Sequence, residues 1–213
     1  MIEWVVFGAY VLLRQMLKTT VPPERPVVLP PESVVVFAGA ASSGKSSTIN
    51  ALVDFPACAV GSEHGTTTTI QNVPFQHGYA LRDLPGYMDN VGNAGWFTNQ
   101  AHLAEIVVYV CAGQLYRPEL DFLRVLHARQ ALSNQLRMGR RRRLVVFCNK
   151  RDVAEAVSTE TERMREMAAL QRQIDEVAPN TPLVFGSARP RCSRPDVETL
   201  RHLLLSSIFE RGA

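Results

Sequence analysis

A chain of 213 residues, 46% apolar and 20% charged, has the make-up of an ordinary soluble globular protein, long enough to bury the core of one α/β domain with a short appendage. Its net charge of +3 is too small to imply nucleic-acid binding by itself. The four cysteines (Cys58, Cys111, Cys148, Cys192) make no C-x-x-C pair and no metal-like spacing with histidine. Cys111 and Cys148 sit in or beside apolar runs and read as small core residues in a reducing compartment.

The chain opens on an apolar segment. Residues 2–13 include Ile2, Trp4, Val5, Val6, Phe7, Ala9, Tyr10, Val11, Leu12 and Leu13, followed by Arg14 and Lys18. A bilayer span needs about 20 apolar residues, and this run is shorter and carries Glu3. It has neither a basic n-region nor a small-residue cleavage site, which argues against a signal peptide. Two readings of residues 1–18 stand open. One is a helix packed on the domain or on a partner. The other is an anchor in or on a membrane, with Trp4 and Tyr10 at the interface and Arg14 and Lys18 facing anionic headgroups. Five prolines (Pro22, Pro23, Pro26, Pro30, Pro31) make residues 19–32 a semi-rigid spacer, leaving 33–213 as the folded domain.

From Ser33 onward, short apolar runs alternate with stretches of helical period, the pattern of a mainly parallel six-stranded sheet with helices on both faces. Strands are expected over 34–38, 69–75, 79–83, 106–111, 144–148 and 183–186. The last three are continuous apolar runs suited to burial on both faces. Helices are expected over 45–53, 95–103, 118–136, 159–177 and 196–209. Pro118 suits a first helical turn, and Asp196 after Pro195 suits a cap region. A hairpin at Gln76-His77-Gly78 adds one antiparallel strand. Ligands of such sheets collect at the carboxyl ends of the strands.

The motifs fall there. Residues 39–46 read Gly-Ala-Ala-Ser-Ser-Gly-Lys-Ser, a complete G-x4-G-K-S phosphate loop between a strand and a helix. Gly39 and Gly44 let the backbone close around phosphates, and the N–H groups of Ser42, Ser43, Gly44, Lys45, Ser46 and Ser47 form an anion nest at a helix N-terminus. Lys45 is placed to reach the β- and γ-phosphates, and the Ser46 hydroxyl to ligate Mg²⁺. Asp83-Leu84-Pro85-Gly86 closes the third strand, offering a carboxylate for the metal and the Gly86 N–H for a γ-phosphate. Asn149-Lys150-Arg151-Asp152 closes the fifth. There, Asp152 can accept from guanine N1–H and its exocyclic amine, Lys150 can lie along the base, and Asn149 can tie the loop down.

Three motifs in this order, each after a strand, resemble the TRAFAC-class P-loop GTPases over about residues 33–209. Ser187-Ala188-Arg189 matches that family's fifth motif, which implies guanine O6 contacts from the backbone there. The resemblance implies GTP and GDP as ligands and GTP hydrolysis with Mg²⁺. It also implies a metal-coordinating, catalytic threonine in the run Gly65-Thr66-Thr67-Thr68-Thr69; aligning the pattern selects Thr67, with Thr66 and Thr68 as alternatives. The threonine run and the D-L-P-G motif have the flavour of Era-related, septin-like and immunity-related or dynamin-like groups, without assigning a subfamily.

One part of the machinery departs from the pattern. Ras-like relatives place glutamine after D-x-x-G to orient water, and this chain has Tyr87. Potassium-activated relatives carry asparagine where this chain has Ser42. His64 reads as an exposed loop histidine or as a group that positions water, and Arg82 as facing solvent rather than the γ-phosphate. The expectation is slow hydrolysis relying on Lys45, Mg²⁺ and backbone amides, with help from a nucleotide-dependent homodimer or a protein effector. Trp96 and Phe97 read either as switch hydrophobes or as core. Residues 140–143, all arginine, read as a solvated loop or as a contact for anionic lipid, and nucleic acid has little support. The location expected is the cytoplasm, at or away from a membrane face. An Era-like RNA or ribosome factor and a GTP-binding scaffold with negligible hydrolysis are the rival readings.

Overall fold

The computed structural model describes residues 34–60, 70–86, 100–101, 104–135, 142–188 and 196–209. The strands are β1 (Val34–Ala38), β2 (Gln71–Pro74), β3 (Ala80–Asp83), β4 (Ile106–Cys111), β5 (Arg143–Cys148) and β6 (Leu183–Phe185). The helices are α1 (Lys45–Val53), α2 (Arg117–Gln135), α3 (Arg151–Val157), α4 (Glu160–Val177) and α5 (Glu198–Phe209). The strands form one sheet in the order β2-β3-β1-β4-β5-β6, parallel except for β2, which runs antiparallel to β3.

Alternation explains why β1, β4 and β5 read as unbroken apolar runs. Val36, Tyr109 and Val146 point to one face, where Phe122, Leu123 and Leu126 of α2 and Leu170 and Ile174 of α4 cover them. Val35, Phe37, Val108, Val145 and Phe147 point to the other, against Ile49 and Leu52 of α1 and Leu200 and Leu204 of α5. Each strand therefore has two dry faces, which removes the polar-apolar alternation of a half-exposed strand.

The expected β2–β3 hairpin is present, and its connection is a single 3₁₀ turn over Gln76–Gly78. His77 adopts a left-handed φ of 57° there, and the Phe75 N–H closes the turn on the Tyr79 carbonyl at 2.7 Å. α3 was not anticipated. It buries none of its seven residues, so it leaves no apolar stripe in the sequence. Asp196 also differs from expectation. Its backbone pairs with Ser187 in an isolated antiparallel bridge, and α5 starts two residues later at Glu198. Of the helix expected over 95–103, only residues 100 and 101 are described, and both are helical. The apolar segment 1–18 and the spacer 19–32 lie outside the described residues. Among the described residues, no helix is long and apolar enough to cross a membrane.

Candidate functional site

Parallel pairing brings the carboxyl ends of β1, β3, β4, β5 and β6 to one edge of the sheet. Three further hydrogen bonds fix the loops leaving that edge. The Leu84 N–H donates to the Phe37 carbonyl (3.3 Å), the Asn149 N–H to Cys111 (2.8 Å) and the Gly186 N–H to Cys148 (3.0 Å).

Directly after β1 the chain turns through Gly39 (φ 146°), Ser42 (φ 57°) and Gly44 (φ 96°) before entering α1. Gly44 is needed for two reasons. Its φ lies where side chains are strained, and a Cβ would stand 2.1 Å from the Asn149 Nδ2. At Gly39 a Cβ would meet the Val110 carbonyl oxygen at the same 2.1 Å. No side chain caps α1, so its first N–H groups turn to the loop. Lys45 is buried and curls back over the loop, donating to the Ala40 (2.9 Å) and Gly39 (3.3 Å) carbonyls. Ser43 Oγ is buried with no hydrogen-bond partner among the described residues, a polar group of the kind a phosphate oxygen could satisfy. The exposed Ser42 and half-buried Ser47 belong to the same turn and helix start.

Ser46 faces Asp83, donating its hydroxyl to Oδ2 at 2.5 Å across the β1–β3 boundary. Asp83 is fully buried at the end of β3. Two hard oxygen donors at one point beside a phosphate loop fit a Mg²⁺ ion that keeps most of its waters. Among the described residues, no three His, Cys, Asp or Glu side chains gather to hold a metal by themselves. Gly86 closes the described part of the D-x-x-G loop. The Cys58 thiol behind this region is pushed up to about 11, by burial first and by the Asp83 carboxylate second.

The fifth-strand motif is bound to the phosphate loop through one side chain. Asn149, 5% exposed, donates from Nδ2 to the Ser43 carbonyl (3.0 Å) and accepts on Oδ1 from the Ala188 N–H (2.9 Å). Three loops from distant parts of the chain thus meet on one amide. Lys150 takes the left-handed conformation (φ 64°), is exposed, and caps α3. Asp152 follows in the first turn of α3. Its N–H donates to Ser187 Oγ (2.9 Å), and the Ser187 hydroxyl donates back to Asp152 Oδ1 (2.8 Å). The structure therefore brings together Ser42, Ser43, Gly44, Lys45, Ser46, Ser47, Asp83, Gly86, Asn149, Lys150, Asp152, Ser187 and Ala188 at one sheet edge. Thr67 with Thr66 and Thr68, His64, Tyr87, Trp96, Phe97 and Arg189 lie outside the described residues.

Beside the loop lies a cleft of about 390 Å³ lined by residues that include Ala41, Ser42, Gln114, Tyr116, Glu119 and Lys150. Glu119 was not singled out by sequence, yet it is buried and shapes this wall. It accepts from the Tyr109 hydroxyl (2.9 Å) and the Tyr116 N–H (3.0 Å), holding the start of α2 against β4. Its signal in the sequence was only an acidic residue in a first helical turn. Gly186 was also missed. A Cβ there would stand 2.1 Å from the Asp196 carbonyl oxygen, so the fifth-motif loop closes only over glycine. Arg82 corrects an expectation: it is 4% exposed, not turned to solvent. It donates from Nε to Asn72 (2.8 Å) and from Nη1 to Gln100 (3.3 Å), and burial lowers its pKa from the ordinary value.

A family model described as "50S ribosome-binding GTPase" matches residues 34–174. The chain belongs to that GTPase family. It is a GTP-binding G domain, with the six-stranded sheet of P-loop GTPases. No curated protein matches it in sequence. Among solved structures, Era from Aquifex aeolicus bound to GDP and aluminium fluoride is similar at 16% identity and a TM-score of 0.55, over 82% of this chain and 56% of that one. The chain thus spans little more than half the length of that Era structure. A probable GTP-binding protein, engB, is similar at 17% identity over 84% of this chain and all of its own (TM-score 0.55). Toc33 from Arabidopsis thaliana, in complex with Mg²⁺ and GMPPNP, is similar at 14% identity over 84% of this chain and 85% of its own (TM-score 0.58). At these identities the likeness is one of fold.

Proposed function

We propose that this G domain hydrolyses GTP to GDP and phosphate slowly and acts as a nucleotide-dependent switch. The observation that carries the reading is the single Asn149 amide joining the phosphate loop at Ser43 to the fifth-motif loop at Ala188. That join supports reading the two loops as the phosphate and base halves of one nucleotide site. In it, Asp152 accepts from the guanine N1–H and amine, held in place by Ser187, while the Ala188 region faces guanine O6. Lys150 packs along the base. The loop amides and Lys45 neutralise the phosphates, and Ser46 and Asp83, with Thr67 from the threonine run, would hold Mg²⁺. The metal, when bound, would offset charge on the β- and γ-phosphate oxygens.

Slow turnover follows from Tyr87 and Ser42, which stand where faster relatives carry a water-orienting glutamine and a potassium-binding asparagine. Charge developing in the transition state is met by Lys45 and fixed backbone dipoles, to which a bound metal would add, and a group from a second copy or an effector supplies the rest. The similar Toc33 has a dimerisation-deficient mutant among its solved structures, which supports asking the same of this chain. We place the protein in the cytoplasm, held at a membrane face by residues 1–18. The family description, and a similar Era structure solved with a piece of 16S ribosomal RNA, favour one rival, an RNA- or ribosome-bound factor; salt-sensitive co-sedimentation with ribosomes would be its mark.

Nucleotide binding and single-turnover cleavage test the main reading. Expected are tight GDP and GTP binding, exclusion of adenine nucleotides, and slow cleavage that Lys45→Ala abolishes. Equal affinity for ADP would overturn the base assignment. No cleavage in a single turnover would leave a GTP-binding scaffold instead.

A further inference from the structure

Two thiols face each other where β4 and β5 reach the nucleotide edge. The strands pair in parallel with Cys111 directly opposite Cys148, and both side chains turn to the sheet face that holds Tyr109 and Val146. Both are free thiols, 1% and 6% exposed. The Cys111 thiol donates to the Cys148 sulfur, and the Gly113 N–H, just past β4, donates to the same two sulfurs.

The two thiols are unlike. The hydrogen bond from Cys111, with the Gly113 N–H, lowers the Cys148 pKa from the ordinary value against the opposing effect of burial. The same thiol–thiol bond, then burial and the Cys148 and Glu119 charges, raise the Cys111 pKa. Cys148 is the readier thiolate, and Cys111 is the neighbour that keeps its proton. Glu119 also lines the 390 Å³ cleft with Ala112, Gln114 and Lys150, so the pair lies behind that wall.

Neighbouring strands stand about 4.8 Å apart, inside the roughly 4.4–6.8 Å between Cα atoms that a disulfide spans. Across parallel strands the Cβ separation follows that spacing, and a disulfide prefers about 3.5–4.5 Å, so bonding would draw the strand ends together. Asn149 follows Cys148 directly. Its N–H donates to the Cys111 carbonyl (2.8 Å), and the Gly186 N–H donates to the Cys148 carbonyl (3.0 Å). The pull therefore falls on the residue that joins the phosphate loop to the fifth-motif loop.

We propose that Cys111 and Cys148 form a reversible disulfide with hydrogen peroxide as oxidant, and that this bond loosens the nucleotide site through Asn149. The burial of both sulfurs favours a small uncharged oxidant over a bulky charged one. The Cys148 thiolate attacks one peroxide oxygen; the S–O bond forms, the O–O bond breaks, and the departing hydroxide takes up the proton that Cys148 released, giving water. The Cys111 sulfur then bonds to the Cys148 sulfur, the S–O bond breaks, and the hydroxide leaves with the Cys111 proton as a second water. Two thiols lose two electrons to one peroxide. A dithiol reductant reverses the bond by exchange, and the strain of closing it makes it easier to reduce. The bond rests on the thiol pair alone; its effect rests on the nucleotide-site reading above.

Titrating hydrogen peroxide onto the reduced full chain, alkylating the remaining thiols and mapping the peptides by mass tests the bond. GDP titration before oxidation, after it and after dithiothreitol tests the effect. The expected result is a Cys111–Cys148 link, GDP affinity at least about tenfold weaker, and recovery on reduction. In Cys111→Ala, the Cys148 sulfenic acid should persist and be trapped by dimedone, with GDP affinity unmoved by peroxide. No link in wild type, or links through Cys58 or Cys192 instead, would overturn the proposal. A Cys111–Cys148 link with unchanged GDP affinity would overturn the coupling to Asn149, as would an equal loss of affinity in Cys111→Ala. Absence of GDP binding by the reduced protein would count against the nucleotide-site reading and not against the bond.

Discussion

Asn149 is the residue on which the site turns. Its amide satisfies one carbonyl and one N–H that belong to other loops, and it is 5% exposed. Asn149→Ala leaves both groups buried and unpaired, at about 1–3 kcal/mol each. We expect a loss of about 2–4 kcal/mol in denaturant unfolding together with weakened GDP binding. Unchanged stability would show the loops held by other contacts. Asp152 makes a narrower prediction. Asp152→Asn exchanges a charged acceptor for an amide, so guanine affinity should fall by about ten- to a hundredfold, with xanthine nucleotides gaining. Competition binding reads this directly, and unaltered guanine affinity would remove Asp152 as the base reader. These residues were legible because their motifs fix residue type and spacing. Glu119, Gly186 and the burial of Arg82 were not, because each depends on partners distant in sequence that no local pattern announces.

The elements show the same division. Strands buried on two faces and the long amphipathic α2 and α4 declare themselves through apolar runs and period. α3 does not, because all seven of its residues face water or half-face it. α5 was placed two residues early, because the Pro195-Asp196 signal resembles a cap while the Asp196 backbone is spent on Ser187. α4 carries a reciprocal cap. The Thr159 hydroxyl accepts from the Glu162 N–H (3.3 Å), and Glu162 accepts from the Thr159 N–H (2.8 Å). Thr159→Ala should cost about 1 kcal/mol of unfolding free energy. Hydrogen bonds from the Thr159 N–H, and then from its hydroxyl, hold the Glu162 carboxyl below its ordinary pKa. A depressed carboxylate stabilises the fold above its unfolded pKa, and that contribution fades as pH falls through the folded value. The Thr159→Ala penalty should therefore be full at neutral pH and shrink on acidification below the carboxylate range. A penalty that does not change with pH would mean that the Thr159 hydroxyl bond to the Glu162 carboxylate contributes nothing.

At the scale of the molecule, the sheet order gathers motifs spread from residue 39 to residue 188 onto one edge. The fold class could be read from the alternation of runs, since a parallel sheet imposes it. The order of the strands is a long-range property, supplied by pairing. The proposed function is that of a GTPase that is slow alone and faster in company. Steady-state GTP hydrolysis measured over a wide range of protein concentration, in sodium and then in potassium buffer, tests it most directly. Low turnover per molecule that rises with protein concentration and is indifferent to the cation is the expected result. Fast turnover that stays constant with concentration would contradict it.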